Sequence, residues 1–477
     1  MEQTVRFVMG GQLQSVVITD PTLTVLDWLR GTARRPGTKE GCAEGDCGAC
    51  TVVVGTLTGE TVAYKAVNAC IQFLPMLDGK ELVTVEDLSD SETNLHPVQE
   101  AMVEEHASQC GFCTPGFVMS LYALYHQRET APSRPVIDAT LAGNLCRCTG
   151  YRPIIAAAET MFALPRPDHQ PPIALLKTIQ PQGDLTVTTP DGRRFDAPVT
   201  LDGLADLVET FPEAELLAGA TDIGLWVTKQ HRVLPHLISV GAVAELKRIE
   251  ATDTACTFGA GVTFDEALPH LSALHPDLTR LFERIGSTQI RNSGTLGGNI
   301  GNGSPIGDSM PVLIALGATL TLRKGAAERQ MPIEDYFLAY RKTARQPGEF
   351  IVSVTVPYLK PGVYFGTDKI SKRQDQDISA VCAAYRLTVT DGLVTSARLG
   401  FGGMAGVPAR ARQAEAALRG QPFTLEAIRA AMEALGRDFT PLSDMRASAD
   451  YRLTVARNLL LRFYLRETGV QVGEVAE

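Results

Sequence analysis

Cys42, Cys47 and Cys50 stand at a C-x4-C-x2-C spacing within GCAEGDCGACTVV, and a fourth cysteine, Cys70, follows in VNACIQF. Thiolates at this spacing are the plant-type ligand set of a two-iron, two-sulfur cluster. Gly41, Gly45 and Gly48 suit so short a loop to left-handed dihedrals, curling backbone N–H groups toward the sulfur atoms, where hydrogen bonds tune the potential. Zinc is the competing reading. The spacing counts against it, because structural zinc sites favour paired C-x2-4-C knuckles over three clustered thiolates and one distant one. A second set comprises Cys110 and Cys113 in SQCGFCTPG with Cys146 and Cys148 in LAGNLCRCTGY. Two ligands one residue apart must straddle one iron from a tight turn, which suits an iron-sulfur cluster at least as well as zinc. Gly111 and Gly150 give that backbone room.

The elements that must position these cysteines are readable in outline. Residues 3–18 form two alternating runs around Gly10 and Gly11, a hairpin signal. A helix is expected from Thr24 through Arg30, and the cluster loop exits into a β-branched strand, TVVVG. That order is the order of a ferredoxin-like β-grasp domain ending near Asp87. Residues 96–165 change to helices, one opened by Pro97 and running to about His106, another starting near Thr114 and Pro115. The stretch from Leu164 to Gln182 holds five prolines and reads as a semi-extended connector. The expected organisation is a 1–87 plant-type 2Fe-2S domain, an 88–165 helical 2Fe-2S domain, a 166–184 linker, a 185–360 domain and a 364–470 C-terminal domain.

The chain has 477 residues, too many for one core, with 44% hydrophobic and 21% charged content. A net charge of -10 argues against nucleic acid or an anionic membrane as partner. No signal-peptide core and no run of about 18 apolar residues is found, so a cytoplasmic protein is expected. Eight of the 10 cysteines precede residue 150. A disulfide scaffold is the alternative, but chain length and the absent leader favour metal ligation in a reducing compartment. Cys256 and Cys382 stand alone and read as buried small hydrophobes.

The second half carries two bare loops. The first, Ala218-Gly219-Ala220-Thr221-Asp222, follows an expected strand at Glu215 to Leu217. In the second, GTLGGNIGNGSPIGD, six glycines lie between Gly294 and Gly307. Such backbone approaches a pyrophosphate closely and offers N–H groups to it, although neither loop matches GxGxxG or the Walker A pattern. Thr263 and Glu266 in FGAGVTFDEAL read as a capping box opening a helix, and Asp391-Gly392 as a hairpin turn.

The two cysteine motifs in this order resemble the iron-sulfur half of the molybdenum hydroxylases, the xanthine dehydrogenase and aldehyde oxidase family, and the two glycine-rich loops resemble its FAD domain. The resemblance implies an α+β multidomain fold: a β-grasp 2Fe-2S domain, a four-helix 2Fe-2S bundle and an α/β FAD domain of the vanillyl-alcohol-oxidase or CO-dehydrogenase-flavoprotein type, then a small α+β C-terminal domain. It implies cluster ligation by Cys42, Cys47, Cys50 and Cys70 and by Cys110, Cys113, Cys146 and Cys148, with Gln109 hydrogen-bonded to a pterin. FAD contacts are implied at Leu217, Ala218, Gly219, Ala220, Thr221, Asp222, Ile223 and Gly224, at Ile285, and at Thr295, Leu296, Gly297, Gly298 and Asn299. Further contacts are implied at Asp308, near the ribityl or ribose hydroxyls, on an edge strand around Ile351 and Val352, and at Lys369 near the far end of the cofactor. The family usually has Gly-Gly-Thr in the first loop where this chain has Gly219-Ala220-Thr221; a positive φ at the middle position would cost alanine about 1 kcal/mol. Lys372 and Arg373 are implied at the nicotinamide dinucleotide phosphates, and Asp375 and Asp377 on a loop beside the flavin ring. No molybdenum site is implied on this chain. A large molybdopterin-binding subunit, an (αβ)2 heterotetramer, NAD as acceptor and hydroxylation of hypoxanthine or xanthine to urate are what the family resemblance implies; relatives acting on aldehydes, N-heterocycles or CO, and a stand-alone NADH-flavin carrier, are the alternatives.

Overall fold

Alternating apolar residues build the first hairpin, β1 (Thr4–Met9) and β2 (Gln12–Val17), with Gly10 and Gly11 both at positive φ in the turn. The computed structural model describes residues 4–89 and 94–469; the outermost expected domain edges, at 1–3 and 470, lie outside them. The chain folds as two units, one made of Met1–Leu204, Glu213–Ala244 and Gly286–Gly294, the other of Ala205–Pro212, Glu245–Ile285 and Thr295–Glu477.

In the first unit β3 (Thr51–Thr58), β4 (Thr61–Asn68) and β5 (Glu81–Val83) complete a five-stranded sheet of order β2-β1-β5-β3-β4. Only β1 and β5 run parallel. The expected Thr24 to Arg30 helix starts where Thr24 caps it, as α1 (Val25–Asp27), but continues as a π-turn over Trp28–Thr32. That wider turn carries Trp28 inward, edge-on to Phe7 at 5.2 Å, while Leu29 is also buried. The next four helices are α2 (Pro97–Glu104), α3 (Thr114–Gln127), α4 (Arg134–Leu141) and α5 (Arg152–Thr160). Every residue of α3 from Gly116 to Tyr125 is buried, so this helix is wrapped on all sides.

The proline-rich connector is not extended throughout. Residues 173–179 form α6 (Ile173–Ile179), whose Leu176 and Ile179 pack on Val8. Four of the five prolines precede position 173 and the fifth, Pro181, follows the helix, so the IALLKTI run between them is free to use the helical spacing of its apolar residues. A four-stranded sheet of order β6-β7-β9-β8 follows, from β6 (Leu185–Thr188), β7 (Arg194–Ala197), β8 (Glu215–Leu217) and β9 (His236–Ser239).

The second unit contains a sheet of order β10-β11-β16-β12-β13, from β10 (Ile249–Ala251), β11 (Ala255–Gly259), β12 (Thr319–Lys324), β13 (Ala327–Pro332) and β16 (Phe350–Pro357), with the hairpin β14 (Phe337–Ala339) and β15 (Lys342–Thr343) between them in sequence. β16 is therefore the central strand, and the expectation that Ile351 and Val352 lie on an edge is wrong. Ile351 pairs with Leu322 on one side, and on the other the Ala260 N–H donates to the Val352 carbonyl at 2.8 Å, so both rows of backbone groups are used. Thr263 and Glu266 form the expected capping box on the helix Phe264–Leu274. A second sheet, β17 (Val363–Ile370), β18 (Val381–Thr390), β19 (Leu393–Gly402) and β20 (Ala409–Arg410), turns at Asp391 and Gly392, both at positive φ, and packs against the helix Ala449–Glu467 through Tyr385 stacked on Phe463.

Candidate metal centres and cofactor loops

All ten cysteines are free thiols, which removes the disulfide reading. Cys42, Cys47, Cys50 and Cys70 meet in the first unit: Cys42 shares hydrogen bonds with Cys47 and Cys70, and Cys50 with Cys70. Those bonds hold protons unequally, pulling Cys42 well below the usual thiol range and pushing Cys70 far above it. The Cys47 N–H donates to Cys42 Sγ at 3.3 Å, and Asn68 Nδ2 points at Cys50 Sγ from 3.9 Å. Gly45 and Gly48 take the left-handed dihedrals expected of them, but Gly41 does not; the third left-handed residue of the loop is Ala43. Gly41 is needed for room instead, since a Cβ there would sit 2.7 Å from Cys47 Sγ.

The second quartet is brought together from the start of α3 and the turn before α5. Cys110 pairs with Cys148 and Cys113 with Cys146, and burial together with that bond pushes the Cys113 thiol up to about 12. Thr149 serves Cys146 twice, through its N–H at 3.5 Å and its hydroxyl at 3.1 Å, while the Cys146 N–H donates to the Tyr151 hydroxyl at 3.0 Å. Nothing in the sequence pattern singles out Asn68, Thr149 or Tyr151 beyond their closeness to a cysteine. Among the described residues no group of three or more His, Cys, Asp or Glu converges to hold a single metal ion. The first four thiols instead touch one another in a chain, Cys47–Cys42–Cys70–Cys50, and the second four in two pairs, so each set offers four thiolates, the number that two irons share. Donor type, number and the N–H groups aimed at sulfur fit a 2Fe-2S cluster in each quartet.

The quartets differ in exposure. Cys50 and Cys70 are buried, whereas Cys110 and Cys148 are exposed beside Gln109 and the outward-facing Phe112, Leu145 and Tyr151. Between them the Leu145 N–H donates to the Cys47 carbonyl at 3.0 Å, so a residue adjoining one quartet is bonded directly to a residue of the other. On the far side, Gln72 Nε2, two residues past Cys70, donates to the Gly219 carbonyl at 3.0 Å.

Gly219 belongs to the first bare loop, which joins β8 to α7 (Ile223–Thr228) in the first unit. Ala220 has a φ of 59°, so alanine does occupy the left-handed position and carries its cost of about 1 kcal/mol. A Cβ on Gly219 would fall 1.7 Å from the Ser293 carbonyl oxygen, so only glycine fits. Leu217 and Ala220 are buried, while Asp222 is exposed.

In the second unit Thr295 caps the helix Leu296–Asn302 by accepting from Gly298 N–H at 2.9 Å, and Asn299 accepts from Ser309 at 2.6 Å. Ile285 is half-buried in the same unit. Asp308 and Lys369, expected at separate parts of the cofactor, form one buried ion pair at 2.8 Å, with Lys369 Nζ also donating to the Arg284 carbonyl at 2.8 Å. Asp377 folds its loop by accepting from the Lys372 and Arg373 N–H groups at 2.7 and 2.9 Å. Lys372 Nζ is bonded to the Met445 carbonyl and Arg373 to that of Gln376, whereas Asp375 is exposed.

Three domain families match the chain: a [2Fe-2S] binding domain over residues 84–159, an FAD binding domain in molybdopterin dehydrogenase over 193–359, and the CO dehydrogenase flavoprotein C-terminal domain over 367–467. Xanthine dehydrogenase from Emericella nidulans is 32% identical across 97% of this chain. The chain belongs to the iron-sulfur and FAD module family of the molybdenum hydroxylases. Xanthine dehydrogenase 1 of Arabidopsis thaliana is 30% identical across 93% of the chain. The chain spans 38% of the length of each of these relatives. A carbon monoxide dehydrogenase from Hydrogenophaga pseudoflava, lacking the Mo-pyranopterin moiety of its cofactor, superposes on 56% of this chain and 94% of its own with a TM-score of 0.53 and 29% identity. The module is thus an α+β multidomain chain that binds 2Fe-2S and FAD. Among the described residues no helix is long and apolar enough to cross a membrane.

Proposed function

We propose that this chain is the electron-transfer subunit of a molybdenum-dependent purine hydroxylase, taking electrons from a molybdopterin-bearing partner during hydroxylation of hypoxanthine and xanthine and delivering them to NAD in the cytoplasm. One 2Fe-2S cluster would be held by Cys42, Cys47, Cys50 and Cys70, the other by Cys110, Cys113, Cys146 and Cys148. Iron-sulfur clusters carry single electrons, and a flavin gathers two and passes them on as hydride. The observation that carries the reading is the gradient of burial along the first unit: exposed Cys110 and Cys148 with Phe112 49% and Leu145 43% exposed at one end, and buried Cys70 bonded through Gln72 to the first bare loop at the other. An apolar rim around exposed ligands suits a protein partner that brings its own redox centre close. Gln109, exposed next to Cys110, is the residue we assign to the partner's pterin.

For FAD we assign Leu217 to Gly224, Ile285, Thr295 to Asn299, Asp308, Ile351, Val352 and Lys369. Backbone N–H groups of the two bare loops offer donors to phosphate, and the Asp308 carboxylate offers an acceptor to hydroxyls. Lys372 and Arg373 face NAD, and the arrangement with the partner is an (αβ)2 heterotetramer. The likeness to carbon monoxide dehydrogenase favours a second reading, the same module serving another substrate, since the partner holds the site of hydroxylation. Purification of the native complex decides between them: xanthine-dependent NADH formation by a complex with four irons and one FAD per chain of this type is expected, and activity on CO or an N-heterocycle alone would replace the purine reading.

A further inference from the structure

Gln289 lies on the short helix Thr288–Arg291, far in sequence from every cysteine, yet it is 1% exposed in the midst of three other buried polar residues. Its Nε2 lies 3.2 Å from Thr51 Oγ1, 3.2 Å from Ser120 Oγ and 3.0 Å from Asn144 Oδ1. Thr51 adjoins Cys50 and donates to the Gly48 carbonyl at 2.7 Å. Asn144, two residues before Cys146, accepts from Ser120 at 2.7 Å and donates to that same Gly48 carbonyl at 3.2 Å. One amide therefore touches the strand leaving one quartet, the helix that carries Cys113 at its N-cap and the turn that carries Cys146. Among the described residues its Oε1 has no hydrogen-bond partner, and it would lie 2.0 Å from a Cβ on Gly143, so glycine there admits the side chain. Burying an amide with one end unmatched costs about 1–3 kcal/mol, which a residue serving packing alone would avoid by being apolar.

One residue along from Asn144, the Leu145 N–H donates to the Cys47 carbonyl at 3.0 Å, a direct hydrogen-bonded route from one quartet to the other. Electronic coupling between centres falls steeply across open gaps and more gently along bonds, so a lengthened hydrogen bond weakens it. We propose that Gln289 is a positioning residue for the pair of centres: it clamps the Cys47–Cys50 loop against the Leu141–Cys146 turn and thereby sets the electronic coupling between them. With a cluster bound in each quartet, one electron would cross per event, one centre losing what the other gains, with no bond made or broken. The inference rests on the reading that both quartets hold 2Fe-2S clusters in electron transfer.

The test compares the wild-type complex with Gln289→Met, which keeps volume but removes the amide, and Gln289→Glu, which keeps the shape but removes the donor. Dithionite-reduced samples are read by EPR, and the Leu145 amide by hydrogen exchange. Both variants are expected to keep four irons and both cluster signals, to lose the magnetic splitting between the signals, to expose the Leu145 amide to faster exchange, and to slow flavin reduction in stopped flow about 10-fold, the lower end for residues one step out from metal ligands. Unchanged splitting and exchange in Gln289→Met would overturn the clamp. If Gln289→Met does not fold, Asn144→Asp and Ser120→Ala, which remove other arms of the same knot, must show the same losses or the proposal fails. Absence of either cluster signal in the wild type would instead overturn the electron-transfer reading itself.

Discussion

Replacing Gly48 by alanine strikes a point where the loop of one thiol quartet lies against the backbone that leads into the other. Its φ of +70° lies in the left-handed region, which costs a residue with a Cβ about 1–2 kcal/mol. The added Cβ would also stand 2.1 Å from the Gly143 carbonyl oxygen and 2.9 Å from Asn144 Cα, atoms of backbone that cannot swing aside. Forcing a methyl into such a contact costs about 1–3 kcal/mol more. The sum is about 2–5 kcal/mol, concentrated on the turn that carries Cys146. Gly59→Ala is the matched control, because Gly59 has a φ of +59° and nothing within 4 Å of its missing Cβ, so it bears only the backbone part. In chemical denaturation of the iron-loaded chain, Gly48→Ala should lose more than Gly59→Ala by the packing part alone, and only Gly48→Ala should speed exchange at the Leu145 amide. Equal losses in the two variants would refute the claim that the quartets' loops are in direct backbone contact.

Cys148→Ser should remove one of the two iron-sulfur EPR signals and leave the flavin bound; retention of both signals contradicts the ligand assignment. Acid should unfold the first unit through its histidines. Burial holds His96 down at about 4 and His126 at about 3, below the usual 6.5, so the stability they lend is complete above pH 6.5 and drains as pH falls toward those values. Depressions of about 2.5 and 3.5 below 6.5 are worth about 3–5 kcal/mol per histidine, so His126→Phe should flatten the acid limb of a pH-stability curve, and an unchanged limb would reject the cause. Glu81, bonded to Tyr64 at 2.9 Å, is pushed by burial the other way, up to about 7, so its share is complete at low pH and is lost as pH rises through 7; Glu81→Gln should remove that alkaline slope. Lys369→Met leaves the Asp308 carboxylate buried without its cation and should cost about 3–5 kcal/mol, most of it recovered when Asp308→Asn is added; a double variant as unstable as the single one would contradict the pairing.

What could be read from the amino-acid order was whatever depends on local spacing. Cys42, Cys47 and Cys50 lie on one loop, Thr263 and Glu266 cap one helix, and Asp391-Gly392 closes one hairpin, so each announces itself within a few residues. The rest depends on partners distant along the chain. That β16 is central follows only from its pairing with β11 and β12, which lie about 95 and 30 residues before it. Gln289 has no local pattern at all, since its three acceptors are supplied by residues 51, 120 and 144. The helix at residues 173–179 was hidden by the prolines that precede it, although its own apolar spacing is regular.

The glycines show best how chemistry and packing can leave the same mark in a sequence. Bare loops around a redox protein's cysteines and nucleotide segments suggest backbone stripped to let a cofactor approach. At Gly48, Gly219, Gly224 and Gly297 the space a Cβ would need is filled by the protein's own backbone: the carbonyls of Gly143 and Ser293, the Ile71 main chain beside Cys70, and Ala260. These are contacts between loops, and three of them lie along the line from the exposed quartet to the first bare loop. There, side-chain or backbone N–H groups of Leu145, Asn144 and Gln72 reach carbonyls at Cys47, Gly48 and Gly219. A Cβ at Gly48 or Gly219 would press apart loops joined by these bonds, and one at Gly224 would displace the Ile71 main chain beside Cys70, so the proposed electron route depends on the glycines as the packing of this unit does. Gly224→Ala should accordingly push α7 away from Ile71, where the Cβ would meet the carbonyl oxygen at 2.7 Å, and weaken flavin reduction more than it weakens the fold. A variant that lost stability while reducing flavin at the wild-type rate would show that these glycines serve packing alone.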